Sequence, residues 1–84
     1  MAVSLVWLEN GSCTLEFEPG DVDRVSALLR AKYGIPKAER HPTLTVYSYP
    51  NASLTFQNEW DDPCLIASSG EGVAMLEVLA RALA

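Results

Sequence analysis

The stretch that decides the fold is Val3-Ser4-Leu5-Val6-Trp7-Leu8-Glu9-Asn10-Gly11-Ser12-Cys13-Thr14-Leu15-Glu16-Phe17-Glu18. An apolar run meets Asn10-Gly11, and beyond it Cys13, Leu15 and Phe17 alternate with Thr14, Glu16 and Glu18. Alternation at period two marks a strand with one buried face. Two such runs joined by Asn-Gly predict a hairpin, because a type I′ turn needs positive φ at both central residues and these two tolerate it. A two-residue loop sets the register, placing Leu8 opposite Cys13, Val6 opposite Leu15 and Trp7 opposite Thr14. On that register Ser4, Val6, Leu8, Cys13, Leu15 and Phe17 share the core face. Val3, Leu5 and Trp7 join Thr14, Glu16 and Glu18 on the other.

Downstream of this hairpin, Pro19-Gly20-Asp21 ends the strand and opens a helix, with Asp21 as the expected cap. Val22, Val25, Leu28 and Leu29 recur at helical spacing, Gly34 stops the helix as a left-handed residue, and Ile35 is expected to fold back over the last turn. The polar segment 35–42 has no period and predicts a connection. A second hairpin follows, from Thr43 to Tyr49 and from Ala52 to Asn58 around Pro50-Asn51. Leu44, Val46, Leu54 and Phe56 are its expected core residues. A two-residue turn would put Val46 opposite Thr55 and break that match, so an odd-length loop or bulge is predicted. Glu59 to Pro63 reads as a loop, Cys64 to Ser68 as a short strand, and the rest as a helix capped by Ser68 or Ser69 and running to about Leu83.

The element order β-β-α-β-β-β-α predicts a single α+β domain over residues 1–84, with one mostly antiparallel five-stranded sheet and both helices on one face. The first strand is apolar on both sides, so it is placed inside the sheet, between the second strand and the remaining three in chain order. A chain of 84 residues is one domain. At this length it buries only about 60 to 65% of its unfolded surface.

Composition narrows function. The net charge of −5 argues against nucleic acid and against anionic membranes, since both draw their affinity from clustered Lys and Arg. The charge is segregated. Residues 1–23 carry Glu9, Glu16, Glu18, Asp21 and Asp23 and no basic residue, whereas 24–41 hold Arg24, Arg30, Lys32, Lys37 and Arg40 against Glu39. Beyond 42 the balance is acidic again. No apolar run reaches membrane-span length, no signal peptide is legible, and two cysteines are too few for a disulfide scaffold. A soluble, cytoplasmic protein with reduced thiols is expected.

The chemistry-bearing residues are sparse. His41 is the single histidine, and Cys13 and Cys64 fall on strands, where a thiol acts as a small hydrophobe. No nucleophile, base and orienting group can be assembled from them, so no enzyme, cofactor or metal is expected. Glu59, Asp61 and Asp62 cluster around Trp60 without the spacing of a calcium loop; an aromatic flanked by acids suits an anchor for a basic protein. The predicted helix-free face carries Leu5, Trp7, Tyr47 and Tyr49 among Thr, Gln and Glu, and Trp and Tyr favour interfaces. The expectation is a non-enzymatic protein–protein interaction domain, of an inhibitor or immunity type or a phage-borne blocker of a host factor, whose binding residues are Leu5, Trp7, Tyr47, Tyr49, Glu59, Trp60, Asp61 and Asp62. A homodimer formed through the open face, or a small-molecule-binding module, are the alternatives.

Overall fold

The first corner holds three residues rather than two. In the computed structural model, which describes residues 3–59 and 62–83, the Gly11 N–H donates to the Leu8 carbonyl at 3.2 Å and the Leu8 N–H donates to the Ser12 carbonyl at 2.9 Å. Gly11 has φ 84°, and the Asn10 side-chain carbonyl accepts from the Ser12 N–H at 3.0 Å. This is the three-residue hairpin loop in which a turn is followed by a left-handed glycine bulge. Strand β1 (Ser4–Trp7) therefore pairs with β2 (Cys13–Glu16) as Leu5 with Leu15, Val6 with Thr14 and Trp7 with Cys13.

That register is one residue away from the expected one, and a one-residue slip exchanges the faces of a strand. Leu5 and Trp7 lie on the side of Cys13 and Leu15, while Ser4 and Val6 lie with Thr14 and Glu16. The second hairpin departs in the opposite sense. Strands β4 (Leu44–Ser48) and β5 (Ser53–Glu59) meet through a two-residue turn at Pro50-Asn51, with Tyr49 and Ala52 exchanging backbone hydrogen bonds. Val46 does sit opposite Thr55, and Tyr47 opposite Leu54. Tyr47 thus belongs to the helix-covered face, and Leu44 and Val46 to the open one.

A sixth strand, β3 (Lys37–Arg40), occupies the segment expected to be a connection, and pairs with β4. With β6 (Asp62–Ala67) the sheet runs β1-β2-β6-β5-β4-β3, antiparallel throughout. The expected α+β class with one antiparallel sheet holds, with six strands instead of five. The expected strand order does not: β1 is an edge, and the centre belongs to β6 and β5. Physically, β6 is the better central strand. Its Leu65 and Ala67 face the helices while Cys64 and Ile66 fill the other side between neighbours on both flanks.

Helix α1 (Val22–Tyr33) follows a 3₁₀ turn at Pro19–Asp21. Asp21 stands at the cap position without a side-chain cap bond. Gly34 ends the helix at φ 85°, its N–H donating to the Arg30 carbonyl. Ile35 does not fold back; it is 88% exposed. Helix α2 (Gly70–Leu83) is capped by Ser69, whose hydroxyl accepts from the Gly72 N–H at 3.1 Å. At Gly72 a Cβ would stand 3.0 Å from that of Ala67, so α2 packs against β6 here more tightly than a side chain fits without a small shift. Both helices cover one face, burying Cys13, Leu15, Phe17, Leu54 and Leu65 against Val25, Leu29, Leu76, Leu79 and Leu83. Phe17 stacks on Phe56 with centroids 6.4 Å apart. Among the described residues no helix is long and apolar enough to cross a membrane.

Candidate interaction surface

The two edges of the sheet differ in chemistry. Edge β3 reads Lys37-Ala38-Glu39-Arg40, is exposed along its length, and is preceded by Pro36. Edge β1 reads Ser4-Leu5-Val6-Trp7 and runs on into Leu8. Val6, Trp7 and Leu8 are exposed by 37%, 58% and 45%, three consecutive large apolar residues. Leu5 is half-buried against the core.

The hydrogen-bond alternation of an antiparallel pair says which backbone groups of β1 are free. Because the Leu8 N–H donates inward to Ser12, Leu8, Val6 and Ser4 direct their backbone groups toward β2. Leu5 and Trp7 direct their N–H and C=O groups away from it. Among the described residues nothing pairs with that side of β1. The edge therefore offers backbone donors and acceptors at Leu5 and Trp7, with Trp7 displayed on the helix side and Val6 on the open side. Around it the charge is acidic. Glu16 lies opposite Ser4, Glu9 begins the loop, and both are exposed.

The helix-free face is a carpet of strand formers. One row across it runs Glu39, Val46, Thr55, Ile66, Thr14, Val6, and the next carries Leu44, Gln57, Cys64, Glu16 and Ser4. Most of these are half-buried by their own neighbours. The aromatic set expected there is elsewhere. Trp7 is exposed as expected but projects on the helix side at the β1 edge. Tyr47 and Tyr49 are half-buried under α1, where Tyr49 meets the Tyr33 ring edge-on at 6.1 Å. The structure thus leaves Leu5 and Trp7 together on β1 and separates them from the two tyrosines by the width of the sheet.

The acidic segment forms the end of a third hairpin. Glu59 pairs with Asp62 across β5 and β6, so the strands reach further than expected and Asp62 is exposed within β6. Trp60 and Asp61 lie outside the described residues. His41 is exposed, and its Nε2 lies 3.1 Å from Glu39 Oε1. A cavity of about 190 Å³ adjoins it, lined in part by Thr43, Thr45 and Asn58. Cys13 is fully buried, and burial, followed by the charge of Glu77, pushes its thiol above the usual range, so it stays protonated and inert. Cys64 lies on the opposite face. Among the described residues no group of three or more His, Cys, Asp and Glu side chains converges on a point where a metal ion could sit.

Periodicity places Val6 and Leu8 in the core and makes 35–42 a connection, so neither the apolar edge nor its charged counterpart is legible in it. The signal for the first was present in the unbroken apolar run Val3 to Leu8, which suits an uncovered edge as well as an interior strand. Compared with protein-family models, with curated proteins and with solved structures, the chain matches none.

Proposed function

We propose that this chain is a non-enzymatic protein-interaction domain, and that its partner adds an extended strand to β1. One observation carries the reading: β1 is an edge whose Val6 and Trp7, with Leu8 just beyond it, are exposed large apolar residues, in a sheet whose other edge is charged at three of its four positions. Natural sheets blunt their edges with charge, proline or cover, because an apolar edge recruits further strands. β1 has none of these within Ser4–Trp7. Strand addition draws affinity from backbone hydrogen bonds and specificity from alternate side chains. Here those are the outward groups of Leu5 and Trp7 and the side chains of Trp7 and Val6. Glu16 lies opposite Ser4 and Glu9 follows the strand, so the fitting segment is apolar in alternation with Lys or Arg. An inhibitor that occludes a basic surface of another protein has this chemistry. In the runner-up reading, a second copy pairs β1 with β1 across a two-fold axis. It covers the same apolar residues but brings the acids of both copies together.

Hydrogen exchange tests the reading. On addition of a partner isolated from host extract, the amides of Leu5 and Trp7, which point away from β2 and have no strand partner among the described residues, become protected. The variant Trp7→Lys loses the partner while keeping its melting curve. Retention of the partner by Trp7→Lys, with Leu5 still exchanging freely, would overturn the proposal. Sedimentation of the isolated chain as a dimer that Trp7→Lys converts to a monomer would select the second copy as occupant.

A further inference from the structure

The cationic charge of this acidic protein is gathered in one region. Of its six Lys and Arg residues, Arg24, Arg30, Lys32, Lys37 and Arg40 fall between positions 24 and 41. The fold turns that stretch back on itself: α1 carries Arg30 in its last turn, and β3 returns along the sheet with Arg40 on the helix side, opposite Thr45. Between them lies a cavity of about 130 Å³ lined by Arg30, Arg40, Tyr47, Tyr49 and Ser26, with Ile35 and Pro36 at its lip. Among the described residues no acid lines it. The nearest acid in sequence, Glu39, points to the other face and is held by His41. Among the described residues neither Arg30 nor Arg40 makes an ion pair. The Tyr49 hydroxyl is buried with no hydrogen-bond partner among the described residues. Burial and the neighbouring Tyr47 push its ionisation upward in spite of Arg30, so it remains an O–H donor.

We infer that the cleft between α1 and β3 is a binding site for a small phosphate monoester, held by Arg30 and Arg40. Two guanidinium groups that make no ion pair among the described residues match a dianion, and a phosphate monoester carries about −1.5 to −2 charges at pH 7. Each guanidinium presents a planar fork of donors suited to two phosphate oxygens. The rings of Tyr47 and Tyr49 with Pro36 give the ester substituent an apolar wall. Both arginines are exposed, so water screens them and binding is modest. The site sits at the β3 end of the sheet, opposite the β1 edge, and stands independently of the strand-addition reading.

The test is an amide NMR titration of the full chain with phenyl phosphate and with inorganic phosphate, at constant ionic strength set with sodium chloride. Saturable shifts are expected in the last turn of α1, in β3 and at Tyr47 and Tyr49, with none at β1. Arg30→Gln and Arg40→Gln each weaken binding about tenfold, the loss of one charge-assisted contact. Both arginines are on the surface, so the variants keep the wild-type spectrum elsewhere. Lowering the pH below about 6, where the phosphate takes up its second proton, weakens binding further. Benzoate, a monoanion of similar shape, binds more weakly than phenyl phosphate. Failure of both phosphates to give saturable shifts, equal binding by Arg30→Gln/Arg40→Gln and wild type, or equal binding of benzoate and phenyl phosphate would each overturn the assignment.

Discussion

The two edges of this sheet differ in the side chains that flank their outward backbone groups. β3 has charged residues at three of its four positions and is preceded by a proline, so an incoming strand would have to bury charge to pair with it. β1 has Leu5, Val6 and Trp7 in the same number of residues, with acids beside it at Glu9 and Glu16 rather than within it. Both strands are short, both rely on a single neighbour, and both present outward backbone groups at two residues, Ala38 and Arg40 on one side and Leu5 and Trp7 on the other. Backbone geometry therefore does not distinguish them. Side chains do: a closed edge and an open one differ in the cost of desolvating what flanks the free N–H and C=O groups.

The strongest way to break the contrast is to remove the ground under β1. Leu15 pairs with Leu5, is fully buried, and lies on the helix-covered face beneath α2. Leu15→Ala is expected to cost about 2–5 kcal/mol, read as a large fall in the urea midpoint. A loss below about 1 kcal/mol would show that β2 is not the platform of the β1 edge.

Gly11→Ala acts on the register itself. The left-handed φ of Gly11 makes the three-residue loop, and although a Cβ there meets nothing, an L-residue in that conformation costs about 1–2 kcal/mol. Chemical denaturation should show that loss. A Gly11→Ala chain as stable as wild type would mean the hairpin can close with another loop and another register.

Converting β1 into a likeness of β3 is the third step. Trp7 is 58% exposed, so Trp7→Ser should cost only about 1 kcal/mol of folding stability, against about 3–5 for a core tryptophan, with the larger loss in partner affinity. A midpoint collapse in the isolated monomer would place Trp7 in the core and remove the open edge.

The smallest effect belongs to β3. Glu39→Gln breaks the exposed pair with His41, worth less than about 0.5 kcal/mol, and should leave the melt unchanged within error. A clear destabilisation would reveal that the charged edge holds the sheet together as well as closing it.

Local chemistry was enough to locate most elements. Gly34 ends α1, Ser69 caps α2, and the alternation Cys13, Leu15, Phe17 names a buried face, because each depends on neighbours a few residues apart. β3 was illegible for the same reason. A strand exposed at every residue has no hydrophobic period, and only its pairing with β4 makes it a strand. The candidate site was half legible: Trp7 stood out as a large apolar residue exposed on a strand, but its face and its companions did not.

Face and companions rest on loop parity, which a local signal cannot set. Asn10-Gly11 serves a two-residue or a three-residue loop, since either needs positive φ at the glycine, and the apolar Leu44 and Val46 argue for a longer turn than Pro50-Asn51 makes. The choice falls to contacts distant in sequence. With β6 between β2 and β5, Leu65 and Ala67 fix which side of each hairpin meets α1 and α2, and Leu5 and Tyr47 go with them. From its sequence alone this protein is an acidic α+β chain with two helices, two hairpins and a segregated basic stretch. Only the tertiary structure decided that β1 is an edge, that Trp7 stands beside its free backbone groups, and that Arg30 and Arg40 meet across a cleft, because strand order and register are settled by burying a common face, and that burial is shared by the whole chain.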